Sequence, residues 1–168
     1  MKVKICGITD RSTGLQAIQL GADALGFVFA ESKRRVNVSQ AKEIIKDLPV
    51  GVMKIGVFVN ETKQVMEETA TILGLTHLQL HGDDTPEICA SLSLPVIKAF
   101  SIKTESDFER VRKYTCEYIL LDSSTGQYRG GNGTTFNWNL VKKKSLGDRK
   151  VILAGGLYSE NVEDAIAV

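Results

Sequence analysis

The 168 residues predict an α/β protein of parallel strands joined by helical crossovers. Three observations carry this. Short apolar, β-branched runs recur along the chain, stretches with helical periodicity fall between them, and seven such strands in 168 residues average about 24 residues per unit. Strands are expected at 3–6, 24–29, 53–59, 77–80, 96–100, 118–121 and 151–154. A helix over 40–47 places Ala41, Ile44, Ile45 and Leu48 on one face, and a helix over 62–73 does the same with Val65, Met66, Thr69 and Leu73. Weaker helical patterns cover 108–114 and 161–168. Ser39 and Thr62 are expected N-caps and Gly74 a C-cap.

Two parallel architectures fit this pattern, an open doubly wound sheet and a closed (β/α)8 barrel. No G-x-G-x-x-G follows the first strand, which weakens the dinucleotide-binding version of the open sheet. The unit length is that of the compact TIM barrel. The expectation is therefore one (β/α)8 TIM-barrel domain over residues 1–168, of which the sequence supplies about seven βα units. On this reading strand 8 and its loop lie past Val168, and the chain continues there; without them strands 1 and 7 would be left as open edges prone to aggregation.

Composition narrows the function. Lys and Arg number 21 against 20 Asp and Glu, a net charge of +1, so bulk charge does not hold the chain to nucleic acid or membrane. The apolar and glycine run 24–30 is far too short to span a bilayer, and residues 1–7 lack a signal-peptide layout. Three scattered cysteines without a C-x-x-C pair fit free thiols in a reducing cytoplasm. The run Lys142-Lys143-Lys144 reads as a solvated helix end.

In a barrel of this kind the chemistry sits at the C-terminal strand ends. The polar groups expected there are Cys6, Asn60, His81 and Asp122, with Arg34 and Arg35 after strand 2. A glycine-rich stretch at 130–133 follows strand 6, and Gly155-Gly156 follows strand 7. Cys6 is either a base or nucleophile or a small buried hydrophobe. Asp122, at the end of an apolar strand, is either a general acid raised by desolvation or a turn aspartate. His81 could polarise a substrate oxygen or bond to a turn; Arg34 could grip a carboxylate or be solvated. Gly155-Gly156 is either an anion site or a tight turn. Lys4 alternates onto the face of Cys6, and Lys54 and Lys98 also lie within strands, where a lysine can form a Schiff base or an ion pair.

Read together, these segments resemble the phosphoribosylanthranilate isomerase family of tryptophan biosynthesis. The similarity runs through Lys4-Ile5-Cys6-Gly7-Ile8-Thr9, Gly21-Ala22-Asp23-Ala24-Leu25-Gly26-Phe27-Val28-Phe29 and Ser32-Lys33-Arg34-Arg35-Val36. It continues through Gly56-Val57-Phe58-Val59-Asn60, Leu78-Gln79-Leu80-His81-Gly82, Leu120-Leu121-Asp122 and Gly130-Gly131-Asn132-Gly133 with Phe136-Asn137-Trp138. Ala154-Gly155-Gly156-Leu157 with Asn161-Val162 closes it. Where the family has Phe-Asp-Trp this chain has Asn137, and an asparagine caps a helix as well as an aspartate. The resemblance implies an Amadori rearrangement of N-(5-phosphoribosyl)anthranilate, a small phosphorylated substrate, without cofactor or metal. It implies Cys6 as general base at ribose C2, Asp122 as general acid at the ring oxygen and Arg34 as partner of the anthranilate carboxylate. Gly155 and Gly156 would form part of the phosphate grip, and Gln79 and His81 would line the same mouth. It favours a monomer for the complete barrel, with the oligomeric state open. The competing expectations are a Schiff-base aldolase-type barrel using Lys98 or Lys54, and an inactive barrel fragment.

Overall fold

The computed structural model describes residues 1–123, 135, 137–142 and 146–167; the glycine-rich stretch 130–133, Phe136, Lys143 and Lys144 lie outside them. Seven strands form one sheet: β1 (Lys4–Cys6), β2 (Ala24–Val28), β3 (Met53–Phe58), β4 (His77–Leu80), β5 (Val96–Ile102), β6 (Tyr118–Ser123) and β7 (Lys150–Leu153). Their spatial order is their chain order, β1 to β7, and every neighbouring pair is parallel. That order separates the two architectures. A doubly wound sheet reverses direction at a switch point, whereas a barrel winds one way throughout.

Alternation along each strand sorts side chains onto two faces. Ala24, Ile55, Ile97, Ala99 and Leu120 pack with Met53, Tyr118, Ile152 and Ala154 on the inner face. Leu25, Phe27, Leu78 and Leu80 face the helices, where Ala41, Ile44, Met66 and Leu73 meet them. Phe100, Ile102, Ile119 and Leu121 meet Phe108 and Val111 in the same layer. Full burial of each such side chain contributes about 1.5–3 kcal/mol.

Helices lie between the strands: α1 (Arg11–Gln19), α2 (Val38–Ile45), α3 (Lys63–Leu73), α4 (Pro86–Ser91), α5 (Asp107–Val111), α6 (Asn139–Lys142) and α7 (Val162–Ile166). Thr62 caps α3 through Val65 N and Gly74 ends it, as the sequence predicts. The α2 cap is Asn37 rather than Ser39: its side chain accepts from Gln40 N at 2.8 Å, while Gln40 Oε1 accepts from Asn37 N at 2.9 Å, a reciprocal pair that a serine two residues later cannot form. Helix α1 escapes a periodicity reading because its first turn is polar and Gly14 interrupts it; Asp10 caps it through Thr13 N at 2.8 Å. Helix α4 announces itself through Thr85 at the cap and Pro86 in the first turn, not through periodicity. Strands β5 and β6 run past the expected 100 and 121. Ser101 and Asp122 pair in register as polar residues of the inner face, so the ladder outlasts the apolar run.

Candidate active site

The site is assembled at the C-terminal strand ends. Cys6 is the last residue of β1, and Lys4 lies two residues before it on the same face. Both side chains lie over β2, where a Cβ on Gly26 would meet Cys6 Sγ at 2.7 Å and Lys4 Nζ at 3.2 Å. The chain then turns at Gly7, whose φ of +84° only glycine adopts without strain. Arg34 lies across this turn: a Cβ on Gly7 would meet its Cδ at 2.6 Å and its Nε at 2.8 Å. Arg34 Nη1 donates to the Cys6 carbonyl at 2.9 Å, and the residue is otherwise exposed. A guanidinium carries five N–H donors, so this anchor leaves an outward fork able to take a carboxylate. Arg35 instead bridges Val28 through its backbone.

Asp122 is 3% exposed on the inner face of β6. Its Oδ1 accepts from Ser123 N at 2.7 Å, and its Oδ2 stands 3.7 Å from His81 Nε2. Burial pushes its carboxyl above the ordinary aspartate range; the Ser123 hydrogen bonds and the Lys4 charge act against this without reversing it. At the end of the adjoining β7, Gly155 has φ +85° and packs directly on Asp122 and Ser123: a Cβ there would strike Asp122 Oδ1 and come within 2.8 Å of Ser123 Oγ. Gly156 follows with φ +62°, and Asn161 fastens the turn by donating to the Gly156 carbonyl at 2.8 Å and accepting from Tyr158 N at 2.9 Å.

Gln79 and His81 extend the inner face of β4 and are both buried. Gln79 Nε2 lies 3.5 Å from His81 Nδ1, while Gln79 Oε1 has no hydrogen-bond partner among the described residues. The structure thus gathers Cys6, Gln79, His81, Asp122 and Gly155 with Gly156 at one end, with Arg34 over the Cys6 carbonyl. Lys54 lies elsewhere, its Nζ toward Gly74 below the strands, and Lys98 Nζ is engaged by the carbonyls of Leu80, Gly82 and Ala99. Neither lysine is a free amine in the mouth, as a Schiff-base mechanism needs. Sequence reasoning missed Ser123, a short polar residue beside a motif residue rather than in it, and the fastening role of Asn161, which the motif contains but whose partners it does not reveal.

Comparison with known proteins identifies the family of the chain. The model of the N-(5'-phosphoribosyl)anthranilate isomerase family matches residues 3–168. The chain belongs to the phosphoribosylanthranilate isomerase family. An isomerase of this family from Bacillus cereus (strain Q1) is 51% identical over 167 residues, covering 99% of this chain and 82% of the relative. The phosphoribosylanthranilate isomerase of Thermotoga maritima superposes with a TM-score of 0.92 at 41% identity, over 100% of this chain and 83% of that one. A phosphoribosylanthranilate isomerase in complex with reduced 1-(o-carboxyphenylamino)-1-deoxyribulose 5-phosphate superposes with a TM-score of 0.88 at 38% identity, over 100% and 82% of the two chains. The seven units are thus those of a TIM-barrel isomerase.

Proposed function

We propose that this barrel carries out the family's rearrangement by acid–base catalysis between β6 and β1, with Asp122 as acid and Cys6 as base. The observation that carries the reading is a carboxyl that burial favours in its protonated form, on the same inner face and at the same strand ends as a thiol. Asp122 gives its proton to the furanose ring oxygen, the C1–O bond breaks, and the anthranilate nitrogen takes up the positive charge as an iminium. The Cys6 thiolate then removes the proton from C2, the electron pair neutralises the iminium, and the resulting enolamine tautomerises to the 2-ketone. Arg34 orients the anthranilate carboxylate by charge-assisted hydrogen bonds anchored on the carbonyl of the base's own residue. Gln79 Oε1 accepts from a ribose hydroxyl, and the backbone of Gly155 and Gly156 holds the phosphate. The substrate is a small phosphorylated molecule handled in the cytoplasm, without nucleic acid or membrane, in keeping with the balanced charge and free thiols.

The test is turnover of N-(5-phosphoribosyl)anthranilate with protium or deuterium at ribose C2. A primary isotope effect in the native chain, with loss of turnover in Cys6→Ser and Asp122→Asn, is expected. Near-native kcat in folded Cys6→Ser would remove the thiolate from the mechanism.

A further inference from the structure

Lys98 takes no part in that chemistry, yet it is 2% exposed in the middle of β5. It shares the outer face with Phe100, whose ring centroid lies 5.5 Å from Nζ. The ammonium donates to the carbonyl of Gly82 at 2.8 Å and of Leu80 at 3.2 Å, the two carbonyls that bracket His81. Asp84 lies 4.0 Å away as counter-charge, and Tyr114, whose ring is 5.8 Å from Nζ, donates its hydroxyl to the Asp84 carbonyl at 2.9 Å. From the neighbouring strand end Asn60 Oδ1 accepts from Asp83 N at 2.6 Å, and His81 N donates to Phe58 O at 2.9 Å. The turn after β4 is thus held from behind by a charge and from the side by an amide.

Stability alone is a poor account of that charge. Replacing a buried ion pair with well-packed apolar side chains is often neutral or stabilising. What the ammonium does that an apolar side chain cannot is bind two carbonyls on either side of a residue facing the opposite way, into the mouth. We propose that Lys98 is a positioning residue for the isomerisation: by clamping the backbone on both sides of His81 it fixes the imidazole against Asp122. The proposal rests on the reading of Asp122 as the acid. A displacement of about 1 Å in such a group can cost on the order of 10²-fold in rate.

The experiment compares Lys98→Met, Lys98→Gln and Lys98→Arg with Asp122→Asn in the full chain. In folded Lys98→Met, kcat should fall about tenfold or more with KM changed less than about twofold, within the range of such misplacement. The limb of the pH–rate profile that Asp122→Asn abolishes should move, and Lys98→Arg, which keeps the charge, should recover part of the rate. Lys98→Gln, able to donate to one carbonyl, replaces Lys98→Met where the latter does not fold. An unchanged kcat, or a loss of Tm with an unmoved pH profile, overturns the proposal; failure of both neutral variants to fold overturns it in favour of a purely structural lysine. A readout without turnover separates this from failure of the acid assignment. The chain has two histidines, so imidazole NMR signals distinguish His81 from His77. If Asp122→Asn stays active, the acid assignment falls on its own; if the His81 signals do not move in Lys98→Met, the clamp falls on its own.

Discussion

Asp122 and Cys6, the proposed acid and base, are held in place by different means. Asp122 lies on β6, paired on both sides and matched to β5 over six residue pairs, and is 3% exposed. Cys6 ends the three-residue strand β1, lies opposite Gly26 of β2 and directly precedes the turn at Gly7. The acid is shaped by burial and packing, so its proton affinity follows from what excludes water around it. The base is placed by a turn and an arginine, so its position follows from a dihedral angle and one hydrogen bond. The acid should therefore respond most to added volume, and the base to loss of a tether.

The largest effects probe the two groups directly. Asp122→Asn and Cys6→Ser should each lower kcat by about 10²–10⁴-fold with the fold intact, as measured by steady-state turnover beside circular dichroism. Asp122→Asn carries a second signature. Burial raises the folded pKa above the unfolded value near 3.8, so the folded state holds this proton more tightly. The stability from that proton is complete at low pH, below the unfolded value, and is lost as pH rises through the folded one. At neutral pH Asp122→Asn should melt above the native chain, and the gap should close on acidification; Cys6→Ser should show no such pattern. Equal pH dependence of Tm in the two variants would break the contrast between a buried acid and a tethered base.

Next in size is Arg34→Ala, expected to weaken substrate binding by about 2–5 kcal/mol and to appear mainly in KM, because it removes one partner of a charge pair. Gly155→Ala follows: a left-handed φ filled by alanine costs about 1–3 kcal/mol, and the new methyl must displace the carboxyl, so kcat and Tm should fall together. The smallest effect belongs to Arg35→Ala, within about 0.5 kcal/mol in stability and without change in KM. A KM for Arg35→Ala equal to that of Arg34→Ala would undo the assignment of the carboxylate partner.

The one-way winding of the strands, the strand-end positions of Cys6, His81 and Asp122, and the capping of α3 were legible in the sequence, from the repeating strand–helix pattern, from where the apolar runs end and from a local hydrogen bond; Gln79 was reached by resemblance alone. Helix α1 was not, since its buried residue is a glycine, Gly14, where an added Cβ would touch Leu25 and Ile44, 11 and 30 residues away. The placement of Arg34 rather than Arg35 over Cys6 was reached by resemblance alone; in the structure it follows from the open face of Gly7, 27 residues away. The reach of Lys98 to the carbonyls around His81 was illegible for the same reason. It joins β5 to the end of β4, and a strand lysine carries no sequence mark of which backbone it will meet.

Gly155 has one more consequence. Where a larger residue would hold the β7 turn off the sheet and admit a layer of water, the bare Cα sits against the Asp122 carboxyl itself. The main chain is here an insulator: it occupies the first hydration position of an oxygen that would otherwise ionise readily. The proton affinity of the proposed acid is therefore written partly in the shape of the loop at the next strand end, and any movement that lifts that loop should wet the carboxyl and lower its pKa before a single hydrogen bond to Asp122 is broken.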